Sequence, residues 1–137
     1  MTTTPARLVV ADDEADIRKL VSFTLRRRGH TVLEARSGDE AYDLIAAEHP
    51  DLAILDVMMP GMTGVEVARK LSQHDDLAAI PVVLLSAKGQ AREIAEGLES
   101  GATAYVVKPF TPSALAQKVD ELLAESGDDH GTAPHAP

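Results

Sequence analysis

Three carboxylates, a hydroxyl and an ammonium recur in this chain at equivalent places. Asp12 and Asp13 follow the apolar run 6–11, and Asp56 ends the run 52–55. Ser86 ends the run 80–85, and Lys108 follows the run 104–107. Short apolar runs bounded by turn signals read as buried strands. Each of the five side chains then stands at the carboxyl end of a strand, the edge at which open α/β sheets bind ligands. Carboxylates packed together repel, and some of their pKa values rise unless a cation lies among them. Hard oxygen ligands suit Mg²⁺, which holds few protein carboxylates and keeps several waters. With a lysine charge and a hydroxyl donor added, the set is complementary to a phosphoryl group, whose transfer depends mainly on positioning and charge neutralisation. A carboxylate can itself be the nucleophile, forming an aspartyl phosphate.

Taken singly, each feature has an ordinary alternative. Asp12-Asp13-Glu14 could cap a helix and complement its dipole. Asp56 could be a turn residue, Ser86 another cap, and Lys108 a solvated lysine. Their shared position on one rim is what favours chemistry. The organising stretch is Asp51 to Gly64, where an apolar run ends on Asp56 and the turn-forming Pro60-Gly61 follows almost at once.

Five strands are expected to position these residues: 6–11, 30–35, 52–56, 80–85 and 104–107. Between and after them the spacing predicts helices over 14–28, from Ser37 to His49, over 65–73, over 90–99, and from Thr111-Pro112 onward. In the first helix Ile17, Leu20, Val21, Thr24 and Leu25 are expected inward, with Glu14 and Arg18 as an exposed pair four apart. In the fourth, Ile94, Ala95 and Leu98 are expected inward. Alternating strands and helices imply an α/β fold. The reading is a doubly wound, five-stranded parallel sheet ordered 2-1-3-4-5, with five helices on its two faces and right-handed crossovers.

The 137 residues suit one domain. Residues 1–5 read as an N-terminal extension, 6–125 as the domain, and 126–137 as a polar tail expected to be disordered. With 45% hydrophobic residues and only 3% aromatics, the core must be aliphatic. No cysteine is present, so disulfides and thiolate metal sites are excluded. No apolar run approaches the roughly 20 residues that span a bilayer, and the N-terminus lacks a signal-peptide layout. A cytoplasmic protein is expected. The net charge of −9 disfavours nonspecific nucleic-acid binding. Arg26-Arg27-Arg28 reads as the dipole-complementing end of the first helix. The five histidines show no ligand spacing and are expected at the surface or in loops.

Several motifs carry a resemblance: Asp12-Asp13; Asp56-Val-Met-Met-Pro-Gly-Met-Thr-Gly64; Ser86-Ala87; and Gly101-Ala-Thr-Ala-Tyr-Val-Val-Lys-Pro-Phe110. Over about residues 6–125 the chain resembles a receiver domain of bacterial two-component response regulators, similar to the chemotaxis regulator and other single-domain receivers. The resemblance implies a flavodoxin-like receiver fold. Asp56 would accept a phosphoryl group from the phosphohistidine of a histidine kinase or phosphotransfer protein. Asp13, Asp56 and the Met58 carbonyl would ligate Mg²⁺, with Asp12 acting mainly through water. Lys108 would pair with Asp56 and then with the phosphoryl oxygens. Ser86 would bond the phosphoryl group, Tyr105 would be the aromatic switch behind it, and the Lys108–Pro109 peptide would be cis. Helix 4, strand 5 and helix 5 would form the face that a downstream protein reads. Such a chain is not a conventional enzyme, but it catalyses its own phosphotransfer and dephosphorylation.

Departures from the wider pattern matter too. Thr103-Ala104 replaces the Asp-Asp common in receivers fused to DNA-binding domains, so a monomer or weak dimer is expected. No output domain is expected after the tail. Met58 and Lys88 occupy the variable positions beside the phosphoryl site, and neither orients water well, which implies slow self-dephosphorylation. An aspartyl-phosphate hydrolase of the haloacid dehalogenase type would need an aspartate where Met58 stands. A flavodoxin-like carrier would need a hydroxyl- and glycine-rich loop where Asp12-Asp13-Glu14 stands. The remaining alternative is a receiver-fold adaptor that works without phosphorylation.

Overall fold

Aliphatic runs that are apolar on both sides make strands buried on both faces, and here they pair only in parallel. In a computed structural model that describes residues 5–131, with backbone alone over 126–131, the elements are β1 (Arg7–Ala11), α1 (Ala15–Arg27), β2 (Thr31–Ala35), α2 (Gly38–Glu48), β3 (Leu52–Asp56), α3 (Gly64–Ser72), β4 (Val82–Ser86), α4 (Ala91–Glu99), β5 (Ala104–Val107) and α5 (Pro112–Gly131). The sheet order is β2-β1-β3-β4-β5, as the sequence predicts. Ala11 lies opposite Leu55, Asp56 opposite Leu85, and Ser86 opposite Val107. The carboxyl ends are thus nearly level, and the reactive side chains share one rim.

Alternation along each strand divides the core in two. Val9, Leu55 and Leu84 face α2 and α3, meeting Ile45, Val67 and Leu71. Leu8, Val10 and Ile54 face α1 and α5, meeting Val21, Leu25, Leu115 and Val119. Helix starts are fixed by side chains on orphan amides. Ser37 accepts from the Glu40 amide at 3.1 Å, and Thr111 accepts from the Ala114 amide at 3.2 Å. Thr63 and Glu66 form a reciprocal capping box.

Four expectations are corrected. In α1 the buried stripe is Arg18, Val21, Ser22 and Leu25, and Leu20 is exposed. Arg18 makes no exposed pair with Glu14; it is only 6% exposed and bonds Glu34 and the Asp12 carbonyl. In α4 only Gly97 is buried, while Ala95 and Leu98 face outward. The Tyr105 ring occupies the space above Gly97, where a Cβ would come within 2.7 Å of it, so the helix turns its one residue without a side chain inward. His30, expected at the surface or in a loop, is buried just before β2. Its Nδ1 accepts from the Ala6 amide at 3.1 Å, which leaves the ring proton on Nε2, 3.1 Å from Asp120 Oδ1.

Residues 126–131, expected in the tail, continue α5 in backbone form. Extending a formed helix adds a bond per residue without a new nucleation cost. Residues 1–4 of the expected extension and 132–137 of the expected tail lie outside the described residues. No described helix is long and apolar enough to cross a membrane.

Replacing His30 with leucine strips the Ala6 amide of its acceptor and Asp120 of a donor. We expect a loss of about 1–3 kcal/mol in urea unfolding, against roughly 0.5 kcal/mol or less for His49→Leu at the exposed end of α2.

Candidate functional site

β1 ends by handing the chain to Asp12, and three bonds hold that residue. Its amide donates to the Ala35 carbonyl at 3.2 Å, its carbonyl accepts from Arg18 Nη1 at 2.9 Å, and its Oδ1 accepts from the Glu14 amide at 2.9 Å. Asp12 is buried and Asp13 exposed. Asp56, the last residue of β3, is 3% exposed. One carboxylate oxygen from each of Asp12, Asp13 and Asp56 lies within 4.8 Å of the other two. Lys108, directly after β5, reaches in with Nζ 3.2 Å from Asp56 Oδ1, and 3.5 Å from both Asp12 Oδ2 and Glu14 Oε1. Its amide is held by the Ser86 carbonyl at 2.7 Å, and the Lys108–Pro109 peptide is cis.

The electrostatics follow from this crowding. Burial pushes the Asp56 carboxyl up to about 6, and the neighbouring Asp12 charge adds to the rise, with Lys108 opposing it. Burial by itself would lower Lys108, but Asp56, Asp12 and Glu14 outweigh it and hold the ammonium above its ordinary range. One lysine cannot neutralise three carboxylates. Asp12 Oδ2 is buried without a hydrogen-bond partner, an arrangement that a cation would satisfy. An all-oxygen donor set of this charge fits a hard divalent ion such as Mg²⁺. Asp12, Asp13 and Asp56 are the residues able to hold it.

Close backbone approach shapes the loop after β3. A Cβ at Gly64 would lie 2.4 Å from the Asp56 carbonyl oxygen, and one at Gly38 would lie 1.7 Å from that of Met62. Gly61 turns the chain at φ +75°. The Gly38 amide donates to the Pro60 carbonyl at 3.2 Å, so the first turn of α2 braces this loop. Met58 stands in the loop and is 61% exposed.

The loop after β4 has its own clamp. Ser86 Oγ accepts from the Lys88 amide at 3.0 Å, and the Tyr105 hydroxyl donates to the Lys88 carbonyl at 2.8 Å. Asp12, Asp13, Asp56 and Lys108 are thus brought into one cluster. Ser86 ends the adjacent strand with its hydroxyl turned to its own loop, and half-buried Tyr105 meets that loop rather than the carboxylates. Sequence reasoning missed Glu14 as a partner of Lys108, and Arg18 behind Asp12. The signal for Arg18 was present: positions 18, 21, 22 and 25 form a helical stripe rotated one residue from the expected one.

The family model for the response regulator receiver domain matches residues 8–120. The chain belongs to the response regulator receiver family. This receiver is 37% identical over 127 residues to the phosphate regulon transcriptional regulatory protein PhoB of Pseudomonas aeruginosa, covering 93% of this chain and 56% of that protein. It is 38% identical over 131 residues to the transcriptional regulatory protein SrrA of Staphylococcus aureus, covering 94% and 53%. The receiver therefore spans about half the length of the curated relatives it matches. Among solved structures it is similar to the chemotaxis response regulator CheY4 of Vibrio cholerae, with TM-score 0.82 and 33% identity over 87% of this chain and 99% of that one. A response regulator of Chloroflexus aurantiacus gives TM-score 0.83 and 34% identity over 88% and 99%.

Because Asp56 is raised in the folded receiver, the folded state keeps that proton to higher pH than the unfolded chain. Its contribution to stability is full below the ordinary value of 3.8 and is lost as pH rises through about 6. Without metal at pH 7.5, Asp56→Asn should therefore be more stable than wild type, on the order of 1–3 kcal/mol. The gain should vanish below about pH 4. Urea unfolding across pH tests this, and equal stabilities at pH 7.5 would contradict it.

Proposed function

We propose that this receiver accepts a phosphoryl group on Asp56 from the phosphohistidine of a histidine kinase or phosphotransfer protein, in a Mg²⁺-dependent reaction. The observation that carries the reading is Asp56 at the end of β3, with Asp12 and Asp13 beside it and Lys108 Nζ 3.2 Å from its Oδ1. Asp13, Asp56 and the Met58 carbonyl would hold the ion, with Asp12 acting mainly through water. When bound, Mg²⁺ supplies positive charge to the carboxylates and to the oxygens of the incoming phosphoryl group.

An ionised Asp56 is the nucleophile. Its carboxylate oxygen forms a bond to phosphorus as the P–N bond breaks, and that electron pair stays on the leaving imidazole. Lys108 holds the carboxylate in place and is near enough to follow the developing charge onto the phosphoryl oxygens. The Ser86 hydroxyl, which in this structure accepts from the Lys88 amide, keeps its own proton free to donate to the phosphoryl group. That contact would draw the β4–α4 loop inward, and Tyr105, tied to the same loop through Lys88, would move with it. A protein partner would read the change on α4, β5 and α5, where Leu98 and Val107 are 43% and 38% exposed. The acidic charge disfavours direct nucleic-acid contact by this domain. Its action as a cytoplasmic regulator, monomeric or weakly dimeric, belongs to the same proposal. So does slow self-dephosphorylation, since neither Met58 nor Lys88 is a good acceptor for orienting water.

Incubation with acetyl phosphate and Mg²⁺ should add one phosphoryl mass of about 80 Da to the intact protein, an addition lost in Asp56→Ala and without Mg²⁺. No gain under any condition would favour the phosphorylation-independent adaptor. Once labelled, the wild type should hold its phosphoryl group far longer than Met58→Asn; a half-life of seconds in Mg²⁺ would overturn the slow-turnover reading.

A further inference from the structure

Arg18 is the one cation with its side chain buried on the inner stripe of α1, and the phosphotransfer chemistry above does not use it. Its guanidinium bridges two elements. Nη1 donates to the Asp12 carbonyl at 2.9 Å, and Nε donates to Glu34 Oε1 on β2 at 3.1 Å. Glu34 is held in turn by Arg26 at 3.2 Å, and Arg26 also donates to the Val32 carbonyl at 2.9 Å. The connection therefore runs from β2 through Glu34 and Arg18 to the main chain of Asp12. A buried charge persists only when it is paired and hydrogen-bonded, and here both partners are supplied.

The consequence is read on the Asp12 carboxylate. With the amide on Ala35, the carbonyl on Arg18 and Oδ1 on Glu14, only Oδ2 is left without a hydrogen bond. That oxygen meets only the ammonium of Lys108, 3.5 Å away, which also lies 3.2 Å from Asp56 Oδ1. We infer that Arg18 is a positioning residue for the metal edge, fixing the Asp12 peptide so that Oδ2 and the adjoining Asp13 carboxylate meet the cation already oriented. The inference rests on the reading of this cluster as a Mg²⁺ site. Groups that orient metal ligands typically change affinity 10–100-fold when removed.

Charge and geometry predict opposite signs here. As a charge alone, Arg18 repels a divalent ion, so its removal would tighten binding. As a positioning group, its removal loosens binding. Lysine separates the two further, because it keeps the charge but lacks the planar fork that serves two acceptors at once.

The experiment is a Mg²⁺ titration followed by amide NMR shifts in wild type, Arg18→Met, Arg18→Lys and Glu34→Gln, with thermal unfolding of each in the absence of metal. Wild type should bind. Arg18→Met should bind about tenfold or more weakly. Arg18→Lys should also weaken despite its charge, and Glu34→Gln should fall between them and wild type. In acetyl phosphate labelling the variants should need more Mg²⁺ for half-maximal rate while recovering most of the rate at saturation. Unchanged or tighter Mg²⁺ binding in Arg18→Met and Arg18→Lys, whatever their melting temperatures, would overturn the inference and leave the metal site standing. Wild type that binds no Mg²⁺ would overturn the site reading and the inference with it. Should Arg18→Met fail to fold, Arg18→Lys and Glu34→Gln decide.

Discussion

Asp12 and Asp56 are buried side by side at the rim of the sheet, and much of the molecule is arranged around their repulsion. Two carboxylates in a site of low dielectric constant disfavour each other's ionised forms. Lys108 offsets part of that by lying within 3.5 Å of both. Parallel strands ending at one level, with β1 beside β3 and β4 beside β5, bring residues 96 positions apart in sequence, Asp12 and Lys108, into this contact. A group that neutralises the rim alters the balance of forces on every element that ends there.

The surroundings of the rim divide into a braced side and a lightly packed side. On the braced side, α1 is tied to β2 by Arg18 to Glu34, and α5 is tied through Asp120 to Arg28 and His30 in the connection between α1 and β2. The loop after β3 is held against α2 by glycines whose replacement would drive a Cβ into a carbonyl. On the other side, α4 buries a single glycine, and the loop before it is held by two bonds to one residue, Lys88. Regions with few buried apolar contacts open at low free energy. Displacement at the rim should pass preferentially to α4 and its loop because the opposite side resists it.

The architecture was legible in the sequence because both signals that carry it are local. Apolar runs such as Leu52–Leu55 and turn residues such as Pro60-Gly61 mark strands and their ends, and the alternation of elements leaves few topologies open. The clustering of Asp12, Asp13, Asp56 and Lys108 followed from that topology. What was not legible depended on which way a helix faces. The buried stripe of α1 lies about one residue from the expected one because Arg18, a charge expected at the surface, occupies an inward position. In α4, Leu98 has the spacing of a core residue, but the Tyr105 ring fills the space above Gly97 and turns that residue inward instead. The burial of His30 has no local signal, because its partners, Ala6 and Asp120, lie 24 and 90 positions away. Such pairings exist only after the sheet has formed, and no periodicity announces them.

Each of these differences concerns a polar or small residue that lies inward against expectation, and each marks a place where the fold positions something. Arg18 holds the main chain of Asp12. Gly97 makes room for the Tyr105 ring, whose hydroxyl then reaches the Lys88 carbonyl. His30 fastens the start of β1 to α5. Burying such groups is unfavourable unless their bonds are made, so each contact holds only in a narrow geometry. The aliphatic core tolerates small shifts, since apolar contact is non-directional. The level of the rim, the setting of the Asp12 carboxylate and the seat of Tyr105 are therefore set by these few directional bonds, and the aliphatic interior supplies the stability that lets them persist.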